Sequence, residues 1–311
     1  MEQIATRDAY GKALKKLAET RDDIVVLDAD LSKSTKTAEF KKIRPEHFIN
    51  VGIAEQNLMG IAAGIATTGK IPFASTFAMF ATGRAFEIIR NSIAYPKLNV
   101  KVVATHAGIT VGEDGGSHAA IEDISLMRSI PNMTVIVPAD GVETESVIFE
   151  ILEYKGPVYV RLGRSKVPVI FDENYKFKIG KGNILKSGQD ATVIACGIMV
   201  SKALEAADIL AGEGYAVEVI NMASIKPIDK ELIVESAQKT GCVVTVEEHN
   251  IYGGLGSAVA EVLSCNDPVP LEMVGVNDIF GESGAPDELL EKYNLTKEEI
   301  VKKVKKVIER K

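Results

Sequence analysis

The residue best placed to do chemistry is a carboxylate, Glu55, near the start of a long run of small and apolar residues. Residues 54–66 predict a helix buried on most sides, and Gly52 marks a break between a short strand and that helix. In the first helical turn, the helix dipole favours the charged form of Glu55, whereas burial favours the neutral form. Taken alone, Glu55 could also cap the helix or pair with a surface arginine.

A second group of chemically versatile side chains surrounds a glycine-rich segment. His106, Asp114 and His118 flank glycines at 108, 112, 115 and 116, which allow a backbone to approach a ligand closely. Histidine can donate, accept or transfer a proton near neutral pH. A zinc site is one alternative, although no convincing fourth ligand lies near these residues in the sequence. A surface turn with incidental histidines is the other.

Aromatic and basic residues add two further possibilities. Phe77 and Phe80 are spaced to share one face, as core residues do, and aromatic faces can also stack on a flat ring. Arg7, Arg161 and Arg164 could each be a surface charge or a bidentate phosphate ligand.

The elements that must position these residues alternate between strands and helices. Strands are predicted at 24–27, 100–104, 135–137 and 157–162, and helices at 7–19, 83–94 and 144–152. Residues 28–34 follow the first strand, where parallel sheets place ligands, and Asp30 or Ser32 is expected to cap the next helix. The alternation predicts a mostly parallel sheet covered on both faces.

A second α/β unit follows a polar connection. Its strands are predicted at 191–196, 216–220, 242–247 and 271–276, and its helices at 201–213, 230–240, 254–263 and 287–291. We therefore predict two consecutive open α/β domains, residues 1–170 and 187–311, joined by a linker at 171–186. The glycines at 253–256 fail the dinucleotide fingerprint because Val259 holds the third glycine position, which favours close helix–strand packing there.

Composition excludes several classes of function. The 311 residues suit two domains, and the net charge of -7 without a basic stripe argues against nucleic-acid binding. The longest apolar run is too short to span a bilayer, and the first residues show no apolar signal region. The lysine-rich residues 302–306 predict a solvated helix face. Cys196 and Cys242 are expected in the core, and the absence of a CxxC pair suits a reducing cytoplasm.

Five motifs in order give the chain a family resemblance. It resembles the C-terminal half of the thiamine-diphosphate-dependent transketolases, and more narrowly the C-terminal subunit of a two-component transketolase. The motifs are Gly-Ile-Ala-Glu-Gln at 52–56, Ser-Thr-Phe-Ala-Met-Phe at 75–80, Thr-His at 105–106, Gly-Glu-Asp-Gly-Gly-Ser-His at 112–118 and Pro-Asn-Met at 131–133. The resemblance covers almost the whole chain.

The resemblance implies a cofactor site. Glu55 would hydrogen-bond N1′ of the cofactor's aminopyrimidine and favour its imino tautomer, and Phe77 and Phe80 would line the slot for the ring. Asp30 is a further expected cofactor contact. Gly83 stands where the family often has a third aromatic residue, which implies a roomier or differently filled slot.

The resemblance also implies a sugar-phosphate site. His106, Asp114 and His118 would contact the sugar, so that Glu55, His106 and His118 form the expected catalytic set. Arg7 and Arg164 would hold the phosphate with help from Ser34. Arg164 is preferred to Arg161 because residues 162–168 match the family pattern better.

One family motif is missing. The Gly-Asp-Gly…Asn motif that binds Mg²⁺ and diphosphate does not occur, so the chain itself is expected to hold no metal. A partner N-terminal subunit would bind Mg²⁺ or Ca²⁺, with the two chains forming a heterotetramer of the pentose phosphate pathway. Alternatives are a deoxyxylulose-phosphate synthase, the β subunit of a 2-oxo-acid dehydrogenase, or a regulatory subunit without activity.

Overall fold

The first part of the chain is built from strands and helices in alternation. The computed structural model describes residues 2–311. In chain order, the elements up to residue 168 are β1 (Gln3–Ala5), α1 (Thr6–Thr20), β2 (Ile24–Asp28), α2 (Ser32–Thr35), α3 (Ala38–Lys41), β3 (Phe48–Asn50), α4 (Glu55–Ala66), β4 (Ile71–Ser75), α5 (Phe86–Ile88), β5 (Lys101–Ala104), α6 (Asp123–Ser129), β6 (Thr134–Ile136), α7 (Gly141–Glu153), β7 (Val158–Arg161) and β8 (Lys166–Pro168). Two 3₁₀ helices cover Pro45–His47 and Ile109–Asp114, and two π-helices cover Phe80–Arg84 and Ile89–Ala94.

The second part of the chain repeats the alternation. Its elements are β9 (Asn183–Lys186), β10 (Ala191–Ala195), α8 (Met199–Gly212), β11 (Val217–Asn221), β12 (Ser224–Lys226), α9 (Lys230–Thr240), β13 (Val243–Asn250), α10 (Leu255–Asn266), β14 (Leu271–Val276), α11 (Pro286–Lys292) and α12 (Lys297–Ile308).

The strands form two main sheets. The larger has seven strands in the order β12-β6-β7-β5-β4-β2-β3, and the smaller has five in the order β14-β13-β10-β11-β9. Pairing is parallel except at one edge of each sheet, where β12 and β9 run antiparallel to their neighbours. The predicted fold class, two mostly parallel sheets flanked by helices, is confirmed.

Burial on both faces explains the parallel pairing. β2, β4 and β5 are almost wholly buried, as expected for strands covered on both sides. Leu14 and Leu17 of α1 and Ile148 of α7 pack in the core on one face of the larger sheet, whereas Leu58 and Met59 of α4 belong to the core on the other. The sheet is therefore a fixed support for the loops at its strand ends.

The chain crosses between the two units. β12 lies in the second half of the sequence but pairs with β6 of the larger sheet, through Ser224 with Ile136 and Lys226 with Val135. The sequence analysis did not anticipate this crossing, because a three-residue edge strand carries too little periodicity to be recognised. Residue 170 as a domain boundary stays a prediction.

Several local expectations were wrong. Neither Asp30 nor Ser32 caps a helix; instead Asp28 accepts hydrogen bonds from the backbone of Leu31 and the hydroxyl of Thr35, at 2.5 and 2.6 Å. The helix expected at 83–94 is divided into two π-helices around α5. Helix α4 is buried on only one side, and its other side exposes Gln56, Asn57, Gly60 and Gly64.

Other expectations are confirmed. Cys196 and Cys242 are buried, and α12 buries Ile300, Val304 and Val307 while its lysines lie on the outer side. The backbone N–H groups of Leu255 and Gly256 donate to the carboxylate of Glu247, at 2.7 and 2.8 Å, so the glycine-rich turn there is filled by the protein itself. No helix within residues 2–311 is long and apolar enough to cross a membrane.

Candidate active site

Glu55 lies at the first position of α4 with its side chain only 2% exposed. The carboxylate does not cap the helix. Its Oε2 accepts a hydrogen bond from Nη1 of Arg84 at 2.7 Å, and the Arg84 side chain is 49% exposed. Of the two alternatives that the sequence left for Glu55, helix capping and pairing with a surface arginine, the structure shows the pairing. Arg84 compensates the charge of the buried carboxylate.

An aromatic group lies next to this ion pair. The rings of Phe77 and Phe80 are nearly parallel, with centroids 6.1 Å apart, and the guanidinium of Arg84 lies 4.7 Å from the Phe80 centroid. Gly83 is exposed, but a Cβ there would lie 2.8 Å from Cε of Met79, so Met79 occupies part of the place of a third aromatic side chain, and Arg84 covers the Phe80 ring. His118 contacts Phe80 edge-on, at 5.2 Å between centroids.

His106 forms the inner wall of the group. Its ring stacks on Phe77 with 3.9 Å between centroids. Nε2 lies 3.1 Å from Nη1 of Arg7, and Nδ1 lies 2.8 Å from Oγ1 of Thr105. Because a guanidinium can only donate, Nε2 accepts, and the ring proton therefore lies on Nδ1 and is donated to Thr105.

Burial and positive neighbours keep this imidazole neutral. They lower the pKa of His106 to about 3, chiefly through burial and then through Arg7, Arg164, His118 and Lys36. The same basic residues make the surroundings favourable for an anionic ligand.

Of the arginines expected to hold phosphate, Arg7 contacts His106 directly and Arg164 is near enough to lower its pKa. Nη1 of Arg7 donates to the backbone carbonyl of Ser34 at 3.2 Å, so the contact does not use the Ser34 hydroxyl. Nε of Arg7 is buried and has no hydrogen-bond partner within residues 2–311. Arg164 donates to Oε2 of Glu113 at 2.8 Å and lies 3.9 Å from Oδ2 of Asp114.

The choice between Arg164 and Arg161 is decided by burial. Arg161 is 5% exposed and is held by Asp123, with Nε–Oδ2 at 2.8 Å. It also donates to the backbone carbonyls of Ala120 and Glu248. Arg161 is therefore engaged by buried protein groups, whereas the Arg164 side chain is 33% exposed, and Arg164 as a phosphate ligand stays a prediction.

The structure does not bring every predicted residue into the group. Asp30 is exposed and exchanges hydrogen bonds with Asn50, with its Oδ1 accepting at 3.0 Å, rather than contacting Glu55 or the aromatic rings. Asp114 is exposed, and its Oδ2 lies 3.9 Å from Nη1 of Arg164. Sequence analysis did not single out Arg84, Glu113 or Thr105 as contacts, although Thr105 and Glu113 stand in two of the family motifs, beside His106 and Asp114. Within residues 2–311, no group of three or more ligand-type side chains could hold a metal ion.

Comparison with known proteins identifies the family to which this chain belongs. The family model described as the transketolase pyrimidine-binding domain matches residues 2–169, and that of the transketolase C-terminal domain matches residues 180–300. The chain belongs to the transketolase family, a family of thiamine diphosphate-dependent proteins.

Individual relatives narrow this to the split type. A putative transketolase C-terminal section from Methanocaldococcus jannaschii is 56% identical over 96% of this chain and 94% of its own length. The 6-deoxy-6-sulfo-D-fructose transketolase subunit SqwH of Clostridium sp. strain MSTE9 is 47% identical over 100% and 97%. A solved structure described as a split gene transketolase, inactive beta4 tetramer, superposes with a TM-score of 0.93 at 62% identity, over 99% of both chains.

Proposed function

We propose that this chain is the subunit of a two-component transketolase that binds the aminopyrimidine end of thiamine diphosphate. With an N-terminal partner, it transfers a two-carbon ketol unit from a ketose phosphate to an aldose phosphate. The observation that carries the proposal is the contact series Glu55–Arg84–Phe80, in which one guanidinium touches both a buried carboxylate and an aromatic face. A flat ring in place of the guanidinium would meet the same two groups.

The residues present fit that end of the cofactor. Oε2 of Glu55 is engaged by Arg84, and Oε1 accepts no hydrogen bond within residues 2–311. An aminopyrimidine offers a ring nitrogen to a carboxyl group and a flat face to an aromatic ring. Glu55 would hold a proton between Oε1 and that nitrogen, and Phe80 would orient the ring.

When bound, the cofactor supplies the nucleophile and electron sink for breaking and making carbon–carbon bonds beside a carbonyl. The chain's own residues would bind and orient the sugar. Nε2 of the neutral His106 accepts from Arg7 and would accept from a sugar hydroxyl only where Arg7 gives up that hydrogen bond, and His118 and Asp114 would contact other hydroxyl groups. Arg7 and Arg164 would bind the phosphate, and Nε of Arg7, which has no hydrogen-bond partner within residues 2–311, would be a donor for it.

Dependence on a partner is part of the proposal. The matched family models are the pyrimidine-binding and C-terminal domains, and a relative of similar length is described as a C-terminal section. The partner would bind the diphosphate through Mg²⁺ or Ca²⁺, and the two chains would form a heterotetramer that covers the exposed side of α4. We propose that the enzyme acts in the pentose phosphate pathway and is cytoplasmic. A reducing compartment suits its three unpaired cysteines.

The test is Glu55→Gln in the assembled two-chain enzyme. We expect the variant to fold and assemble normally while ketol transfer falls by at least about a hundredfold, since general acid–base groups contribute on this scale. The matched control is Glu231→Gln, which changes an exposed first-turn glutamate of α9. Near-normal activity of Glu55→Gln would overturn the role of Glu55, and a pyruvate-dependent reaction without ketose transfer would overturn the proposed reaction.

A further inference from the structure

We infer that Glu248, on β13 of the smaller sheet, is a positioning residue for residues 108–118, here called the substrate loop. This loop carries Asp114 and His118. The inference rests on the proposed function. It assigns the second α/β unit a role in sugar binding, because that unit fixes the conformation in which the substrate loop meets the sugar.

The carboxylate of Glu248 contacts the start of the substrate loop directly. It is 3% exposed, and its Oε1 accepts a hydrogen bond from the backbone N–H of Thr110 at 2.7 Å. That N–H belongs to the first turn of the 3₁₀ helix Ile109–Asp114, where a carboxylate satisfies a donor that the helix cannot. Gly108 has a φ of 80°, and a Cβ there would collide with the Glu248 carboxylate.

A buried arginine fixes Glu248 in turn. Nη2 of Arg161 donates to the backbone carbonyl of Glu248 at 2.9 Å, and Nη1 lies 3.9 Å from its Oε2. Nε of the same guanidinium is bound by Asp123. Because these groups are buried and share contacts, the Glu248 carboxylate has one well-defined position.

The rest of the substrate loop also lies against the second unit. A Cβ at Gly115 would collide with Ser283, and one at Gly116 would collide with the backbone carbonyl of Gly281. The outer side of the loop is held by Arg164, which donates to the carbonyl of Val111 and to Glu113. The loop is thus enclosed between Arg164 and the second unit, with Glu248 as the charged contact at its start.

The first test uses steady-state kinetics of the assembled enzyme. Removing the acceptor leaves the buried N–H of Thr110 unpaired and frees the start of the loop. We expect Glu248→Ala to raise the KM for the ketose phosphate about tenfold and to change kcat by less than about threefold, since ground-state positioning is what is lost. Glu248→Gln keeps a neutral acceptor oxygen and should raise the KM only about threefold.

The control is Glu218→Ala. Glu218 is also buried, lies on β11 of the same sheet and pairs with Lys239, and within residues 2–311 it makes no hydrogen bond or ion pair with the substrate loop. Glu218→Ala should lower the unfolding free energy and leave the KM for the ketose phosphate unchanged. A wild-type KM in Glu248→Ala, or an equal rise in Glu218→Ala, would overturn the inference.

The second test needs no activity. In hydrogen exchange on the full chain, peptides spanning 108–118 should exchange faster in Glu248→Ala than in the wild type or in Glu218→Ala. Should Glu248→Ala fail to fold, Glu248→Gln decides by both measurements, and a wild-type KM together with wild-type exchange in that variant overturns the inference. If the wild-type enzyme shows no ketol transfer, the proposed function fails, while exchange still reports whether Glu248 orders the loop.

Discussion

At the scale of single residues, the candidate site is defined by how each charge is compensated. Glu55 is buried and would be costly without a partner, and the half-exposed Arg84 provides one at little cost in desolvation. The same arginine covers Phe80, so a ring bound on Phe80 must share or displace it. The ion pair therefore lowers the cost of burying Glu55 in the folded chain. It also means that a ligand ring on Phe80 has to bind beside Arg84 or move it.

His106 leads to a prediction about pH. Its pKa falls from 6.5 to about 3 on folding, so between these values the unfolded chain binds a proton that the folded chain does not. Stability that is present above pH 6.5 is therefore lost as the pH falls toward 3. Relative to His106→Gln, the wild type should lose about 2 kcal/mol of unfolding free energy between pH 7 and pH 5.

Urea unfolding of both proteins at the two pH values measures this difference. The control is His47→Gln, which removes a partly buried histidine elsewhere in the chain. A constant difference between wild type and His106→Gln across this range would contradict a neutral, buried His106.

At the scale of elements, the start of α7 joins two parts of the chain. Asp140 is the N-cap, and its Oδ1 accepts from the backbone N–H of Glu143 at 2.7 Å. Its Oδ2 accepts from the N–H groups of Ile170 and Phe171, at 2.6 and 2.9 Å. A single buried carboxylate thus begins the helix and holds the segment that leads to the second unit.

We predict that Asp140→Ala lowers the unfolding free energy by about 3 kcal/mol, since one buried and two partly buried N–H groups lose a charged acceptor. Thr296→Ala removes the cap of α12, which accepts one bond at 3.3 Å, and should cost about 1 kcal/mol. Denaturant unfolding compares the two. Equal losses would mean that Asp140 acts only as a cap and does not hold residues 170 and 171.

At the scale of the whole molecule, Glu143 connects α7, the connecting segment and β11. It accepts hydrogen bonds from the backbone of Ala139, the hydroxyl of Tyr175 and the amide of Asn221. Burial raises the pKa of Glu143 from 4.5 to about 7. The folded chain therefore holds an extra proton between these values, and the associated stability, present below pH 4.5, is lost as the pH rises through 7.

The expected result is a pH-dependent gap between wild type and Glu143→Gln. From pH 5 to pH 8, the wild type should lose about 2.5 kcal/mol relative to the variant. Thermal or urea unfolding at several pH values gives this gap. If the unfolding free energy of the wild type instead rose relative to Glu143→Gln with rising pH, the predicted direction of the pKa shift of Glu143 would be wrong.

A second whole-molecule prediction concerns the chain without a partner. Stacking and each neutral hydrogen bond contribute about 1 kcal/mol, whereas binding costs roughly 4–15 kcal/mol of translational and rotational freedom. The isolated chain should therefore bind thiamine diphosphate weakly or not at all, self-associate, and show no transferase activity. Calorimetry with Mg²⁺ and cofactor measures this, and micromolar binding would mean that the anchoring site lies within this chain.

The sequence alone determined the fold class, the main strands and the family, because buried parallel strands are continuous apolar runs and the motifs are local. Burial and pairing were decided by tertiary structure. The contact of Arg84 with Glu55 depends on a π-helical register, and the structural role of Arg161 depends on Asp123 and on Glu248 from another sheet. The pairing of β12 with the larger sheet likewise joins residues far apart in the chain. Local patterns specify which element forms, but the partner of a charged side chain or of an edge strand is set by long-range packing, which no spacing in the sequence encodes.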